Sequence, residues 1–264
     1  MMNWASSGSS IWTDEGSGRL LKAAFNVLLL SIILVAVAWW SLSRIGVTFD
    51  FSFVPAFQKR LGDGFVMTVC LSLASLCLSL VIGIVCAMLQ SNRILLLRYA
   101  SRFYVTFVRG TPLIMQIYLF FYIVGTAFGI ENRFLCGVLI LSIFEGAYIA
   151  EIIRGSLLSL DSTQIEAAKA VGFTRRQTIT LVILPQMTAR TLPALTGQFA
   201  SIIKDSSLLS IIAVIELTQT IREISATNFK LFECYLFLGV LYLVLTLPIT
   251  FVSKRLEKKF SYEN

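Results

Sequence analysis

From Gly64 to Leu89 the chain carries no charged residue. A helix rises about 1.5 Å per residue, so this stretch outreaches a bilayer's ~30 Å hydrocarbon core. Composition agrees: the 264 residues are 56% hydrophobic and only 14% charged, against about 25% charged in soluble domains. The sequence therefore predicts an all-α polytopic membrane protein. Ser75, Ser79, Gly83 and Ala87 place a small residue at every fourth position of this run, on one helix face where backbones can approach closely. That face reads first as packing within the chain, with contact to a second subunit as the alternative.

Further spans are expected at Ala23–Leu42, Leu113–Phe128, Phe134–Ile153, Thr178–Ile203 and Cys234–Val252. The fifth is interrupted by Pro185, Arg190 and Pro193, and a short apolar piece, Leu208–Val214, follows it. Residues 1–20 are rich in Ser and Gly and read as a disordered tail. Residues 21–44 form an additional amino-terminal span, 45–63 an aromatic external connector, 64–255 the transmembrane domain, and 256–264 a tail. Ala36-Val37-Ala38 has signal-peptidase spacing, but the long lead-in with Asp14 and Glu15 favours a retained anchor.

The net charge of +7 is explained by basic loops on the cytoplasmic side rather than by nucleic acid. Segments around Arg19, Arg93–Arg109, Arg154–Arg176 and Lys254–Lys259 hold about twice as many Lys and Arg as the opposite side. Six spans then leave both termini, and the loop 154–177, in the cytoplasm. There is no His, and the five cysteines form no Cys-x-x-Cys pair. They read as small apolar side chains, and no metal site is expected.

One polar segment stands apart. In Gln164 to Gly172, Ile165, Ala168 and Val171 could form an apolar edge, with Gly172 ending the helix. Spacing alone leaves a docking helix and a plain amphipathic connector equally open. The run Glu166-Ala167-Ala168-Lys169-Ala170-Val171-Gly172 with Ile183-Leu184-Pro185-Gln186 resembles the EAA loop of ABC importer permeases. FVRGTPLIMQ at 107–116, GAYIAEIIRGSL at 146–157 and KDSSLLS at 204–210 resemble segments of the polar amino acid permeases, in family order. The likeness covers roughly residues 60–255. Two departures stand in it: Thr163-Gln164 where the family has Gly-Gln, and Ser206 where it has Thr.

The resemblance implies a five-helix type I permease core, paired with an identical or related permease in a bacterial inner membrane. It also implies a separate ATPase subunit that binds the ATP, and an extracytoplasmic binding protein that delivers a small polar amino acid. Gln164, Ile165, Glu166, Ala167, Ala168, Lys169, Ala170 and Gly172, with Pro185 and Gln186, would then form the coupling region. Glu166 and Lys169 would supply polar contacts, the small residues close approach, and Pro185 and Gln186 the angle into the fifth span. No G-x-x-x-x-G-K-[ST] loop occurs, so no ATP site and no catalytic residue is expected here.

Ionisable groups inside spans are functional candidates. Glu151 and Arg154 are spaced to pair on one helix face. Glu145 lies deeper, facing either the substrate path or Arg190 or a water-filled cavity. Lys204, Asp205, Ser206 and Ser207 read as a broken helix offering polar groups to substrate, or as a loop at the outer surface. Gln116 is counted with the substrate path, and Arg109 is expected to face headgroups. An ion-driven secondary transporter is the rival, using the two Glu residues for protons; an inverted repeat would support it. A membrane scaffold without a pathway is the third reading.

Overall fold

The computed structural model describes residues 16–45 and 49–261. The chain divides into two compact units, residues 1–50 and 51–264. In the first, α1 runs Gly16–Ile45. It contains the expected span and begins within the expected tail, because Arg19 to Ala24 are strong helix formers. Residues 1–15 lie outside the described residues. From Phe25 to Val37 all residues but Asn26 and Ser31 are apolar, the composition of a helix that spans lipid.

The second unit begins with α2 (Phe53–Ala56) and α3 (Gln58–Gln90). The expected connector is thus shorter, since residues 58–63 are already helical. Leu61 and Phe53 are buried in an apolar cluster with Leu217, Ile221 and Cys234, which ties down this end of α3. The small-residue face packs within the chain: Ser75, Ser79, Gly83 and Ala87 are all buried, and α6 (Arg133–Leu158) is the main partner. A Cβ on Gly83 would lie 2.4 Å from Ile149 Cγ2, and one on Gly146 2.6 Å from Ile82 Cγ2. Each helix supplies the glycine into which the other's isoleucine fits.

The third expected span is different. The arginine-rich stretch is a helix, α4 (Leu95–Gly110). It is followed by α5 (Leu113–Leu119), which continues as a π-helical turn to Gly125. The chain bends by 111° between the two limbs. Pro112 accounts for the break: the residue before a proline is driven out of the α region, and Thr111 has φ −122° and ψ 146°. Gln116 closes the bend from the far side. Its Nε2 donates to Val108 O at 2.9 Å and to Thr111 Oγ1 at 2.7 Å. Gln116→Leu is expected to cost about 1–3 kcal/mol, the cost of stranding buried acceptors, measurable as a lower unfolding midpoint of the purified protein.

After α6 come α7 (Ser162–Ala170), α8 (Arg175–Gln177), a π-helical turn (Thr178–Ile183) and α9 (Leu184–Asp205). A 3₁₀ segment, Ser206–Ile212, leads to α10 (Leu217–Asn228) and α11 (Leu231–Ser261). Glu216 caps α10 by accepting from the amides of Thr218 (2.7 Å) and Gln219 (2.8 Å). The amide of Leu217 donates to Thr68 Oγ1 of α3 at 3.0 Å. Among the described residues three helices, α3, α6 and α11, are long and apolar enough to cross a membrane individually, and the bent pair α4–α5 makes a fourth crossing if it counts as one span. The α9 segment carries Arg190, Lys204 and Asp205 and is too polar to pass on composition. Cys136 and Cys234 are buried as expected, whereas Cys70 and Cys77 face outward.

Candidate functional site

The α7 helix is built to be held at both ends. Asp161 caps it, accepting from the amide of Thr163 at 3.0 Å. That bond holds the Asp161 carboxyl below the usual carboxylate range. The charged cap is therefore in place at neutral pH and is lost only as pH falls through the lowered value. At the other end the amides of Phe173 and Gly172 donate to Ala168 O and Lys169 O, each at 3.0 Å, which is a Schellman motif. The motif needs a left-handed residue, and Gly172 supplies it with φ +81°. A capping box between Thr174 and Gln177 then starts the next helix.

These restraints sort the coupling candidates. Ala168 is buried and Ile165 half-buried against the π-helical turn, so the apolar edge is real for those two; Val171 is exposed. Thr163, Glu166, Ala167 and Ala170, spaced i, i+3, i+4, i+7, share one exposed face, with Lys169 exposed beside it. Gln164 is bonded by the side-chain amide of Gln186, which joins α7 to α9. Pro185 does not set the turn: the helix runs unbroken from Arg175 through it. A wider π turn just before a proline absorbs the ring's clash and missing donor. Direction changes instead at Gly172.

Deeper in the bundle, Glu145 is fully buried. Its Oε2 accepts from the side-chain amide of Gln198 on α9, and its Oε1 is buried without a hydrogen-bond partner. Arg190 is not its partner, since that guanidinium donates to Ser159 O and Oγ. No loop interrupts residues 204–207. Lys204 and Asp205 end α9, and Ser206 and Ser207 open the 3₁₀ segment. Lys204 is exposed, while Ser206 is buried and donates to Ile203 O at 2.7 Å. The chain reverses afterwards, at Ala213 with φ 55°.

Two of the sequence segments meet in space. Arg154 pairs with both carboxylate oxygens of Glu151, one bond measuring 2.9 Å. Arg109 of α4 reaches the same carboxylate at 3.6 Å and lies over the Tyr148 ring, 5.3 Å from its centroid. Arg109 is thus held on one side by protein, while its side chain stays 40% exposed. Sequence reading misses this junction, although Arg98, Arg102 and Arg109 fall on one helical face, a signal hidden when the stretch is read as a loop.

Among the described residues the chain is an all-helical bundle with several apolar helices long enough to cross a membrane, and it presents one short capped helix, the architecture of a multi-pass membrane protein. The chain belongs to the family of binding-protein-dependent transport system inner membrane components, whose model matches residues 79–262. It is a multi-pass ABC importer permease and not an enzyme, and the family implies a separate ATPase and a binding protein as partners. The glutamine transport system permease protein GlnP of Escherichia coli is 35% identical, over 80% of this chain and 97% of that protein. The L-cystine transport system permease protein TcyB of Bacillus subtilis is 32% identical, over 77% and 88%. A crystal structure of an amino acid ABC transporter with histidines matches with TM-score 0.75 at 30% identity, covering 81% of this chain and 100% of that one. An inward-facing MetNI methionine ABC transporter shares the fold, with TM-score 0.65 at 19% identity, covering 78% and 98%.

Proposed function

We propose that this permease passes a small polar amino acid, delivered by an extracytoplasmic binding protein, and is driven by ATP bound on a partner ATPase that docks on residues 162–177. The observation that carries the docking is the exposed face of α7. It holds small and charged side chains, yet its ends are fixed by Asp161, Gly172 and the Gln164–Gln186 contact. A rigid, outward-facing lever is what a moving partner needs. The amino acid class is supported by relatives named for glutamine and for L-cystine. Glu145, Asp205 and Lys204 are the polar steps of the path in this reading, with Ser207 beside them; the Gln116 Nε2 is spent on Val108 O and Thr111 Oγ1, and the Ser206 hydroxyl on Ile203 O. The basic end of the bundle faces the cytoplasm, with both termini there. A second permease, identical or related, completes the pathway. The ion-driven alternative is not favoured, because the relatives are ABC permeases.

The test is purification of the tagged chain in mild detergent, followed by reconstitution with ATP enclosed. The expected result is a co-purifying Walker-motif ATPase and ATP-dependent uptake of radiolabelled glutamine or cystine. A chain isolated alone that supports uptake driven by an ion gradient would overturn the reading.

A further inference from the structure

At the ends of α3, α4 and α6 lies a cavity of about 560 Å³ whose polar lining is Gln90, Arg102, Thr106, Arg109, Tyr148, Glu151 and Arg154. Gln90 is the last residue of α3, and Arg154 stands about 6 Å along the helix from the end of α6 at Leu158. The cavity therefore opens near the end of the bundle, where its basic lining suits the level of the headgroups.

Its chemistry is one-sided. The single carboxylate, Glu151, is already engaged by Arg154 and Arg109, and the Tyr148 ring lies under Arg109. Arg102 enters no ion pair among the described residues. Gln90 is 6% exposed, and its Nε2 is buried without a hydrogen-bond partner. What remains unsatisfied is a set of donors, which suits acceptor oxygens on an anion. A zwitterion would be best met by a free carboxylate for its ammonium group, and the one carboxylate here is already paired.

Arg154 also lines a second, apolar groove of about 660 Å³, walled by Ile84, Met88, Leu157, Leu184, Met187 and Leu195. On the neighbouring face of α4, Tyr99, Phe103 and Phe107 are exposed, the arrangement of a basic helix lying at a membrane surface. Anionic at one end and long-chained at the other describes a phospholipid. The geometry points to a specific site for one anionic phospholipid, its phosphate held among Gln90, Arg102 and Arg109 and an acyl chain in the groove beyond Arg154. Such a lipid would bridge α4 and α6 close to the Thr111–Pro112 bend. The site depends on membrane embedding alone and not on which amino acid is carried.

A free anion shares the headgroup's chemistry, so the probes separate the two. The delipidated permease complex is titrated with dioctanoyl phosphatidylglycerol, dioctanoyl phosphatidylcholine, glycerophosphoglycerol or inorganic phosphate, with occupancy read by native mass spectrometry. Phosphatidylglycerol is expected to bind in preference to the other three. Arg102→Gln is expected to weaken it about fivefold, the share of one arginine near an anionic lipid. Gln90→Leu should weaken it too. Arg102 is exposed and outside the ion pairs, so the unliganded melting temperature of that variant should match wild type. Equal binding of phosphatidylcholine, equal binding of phosphate or of the chainless headgroup, or an Arg102→Gln protein with unchanged affinity would each overturn the proposal.

Discussion

A single methyl group added at Gly83 is expected to destabilise the protein by about 1–3 kcal/mol, the range for overpacking a tight interior. Helix propensity alone argues the opposite sign, because alanine outranks glycine by about 1 kcal/mol in an unobstructed helix. The close approach decides between them. A Cβ at this position would meet Ile149 Cγ2 at 2.4 Å, Ile149 Cβ at 2.7 Å and the backbone nitrogen of Ala150 at 3.2 Å. Isoleucine is confined to one favoured χ1 rotamer in a helix, and its Cβ cannot rotate away. Relief requires α3 and α6 to separate along their length, which would loosen the buried Ser75 and Ser79 contacts as well. Leucine at position 83 should leave no folded protein. The check is reversible unfolding of Gly83→Ala in mixed detergent micelles, alone and combined with Ile149→Gly. In the Ile149→Gly background the methyl group has room and should become neutral or stabilising, a coupling of about 1–3 kcal/mol. An alanine variant more stable than wild type would show that the two helices are not in close contact here.

What could be read in advance follows from which signals are periodic. The uncharged run 64–89 and its small residues at every fourth position are local patterns, and α3 and its packing face follow from them. Gly172 is legible for the same reason, since a glycine after an alanine-rich helix marks a left-handed turn. The arginines of residues 93–109 mislead because the positive-inside tendency assigns clustered basic residues to loops. Their spacing instead puts Arg98 and Arg102 on one face of α4 and Tyr99, Phe103 and Phe107 on another. Gln116 shows a different limit: a polar residue in an apolar segment invites a substrate role, but the bend at Pro112 creates backbone acceptors that consume it. Glu145 and Gln198 are 53 positions apart, and no local pattern reports such a pairing.

Glu166→Arg is expected to lower uptake about a hundredfold while leaving the permease folded and abundant in the membrane. Glu166 is exposed on the outer face of α7 and makes no hydrogen bond or ion pair among the described residues. Its replacement therefore removes nothing that holds the chain together, and arginine is a good helix former. Any large effect must arise in the docked state, where reversing a charge at a desolvated contact costs roughly 2–5 kcal/mol. That cost corresponds to a loss of roughly 30- to several-thousandfold in partner affinity. The loss should appear as ATPase missing from the purified complex, with the permease's own unfolding midpoint unchanged. Gly172→Val should act by another route, because it forces a β-branched residue into a left-handed backbone at φ +81°. It should disturb the lever without altering its contact face, so some ATPase should remain bound while ATP hydrolysis and uptake become uncoupled. If Glu166→Arg protein keeps both its ATPase and its uptake, the exposed face of α7 is not the docking surface. If the variant fails to accumulate, Glu166 has a structural role that its exposure does not reveal.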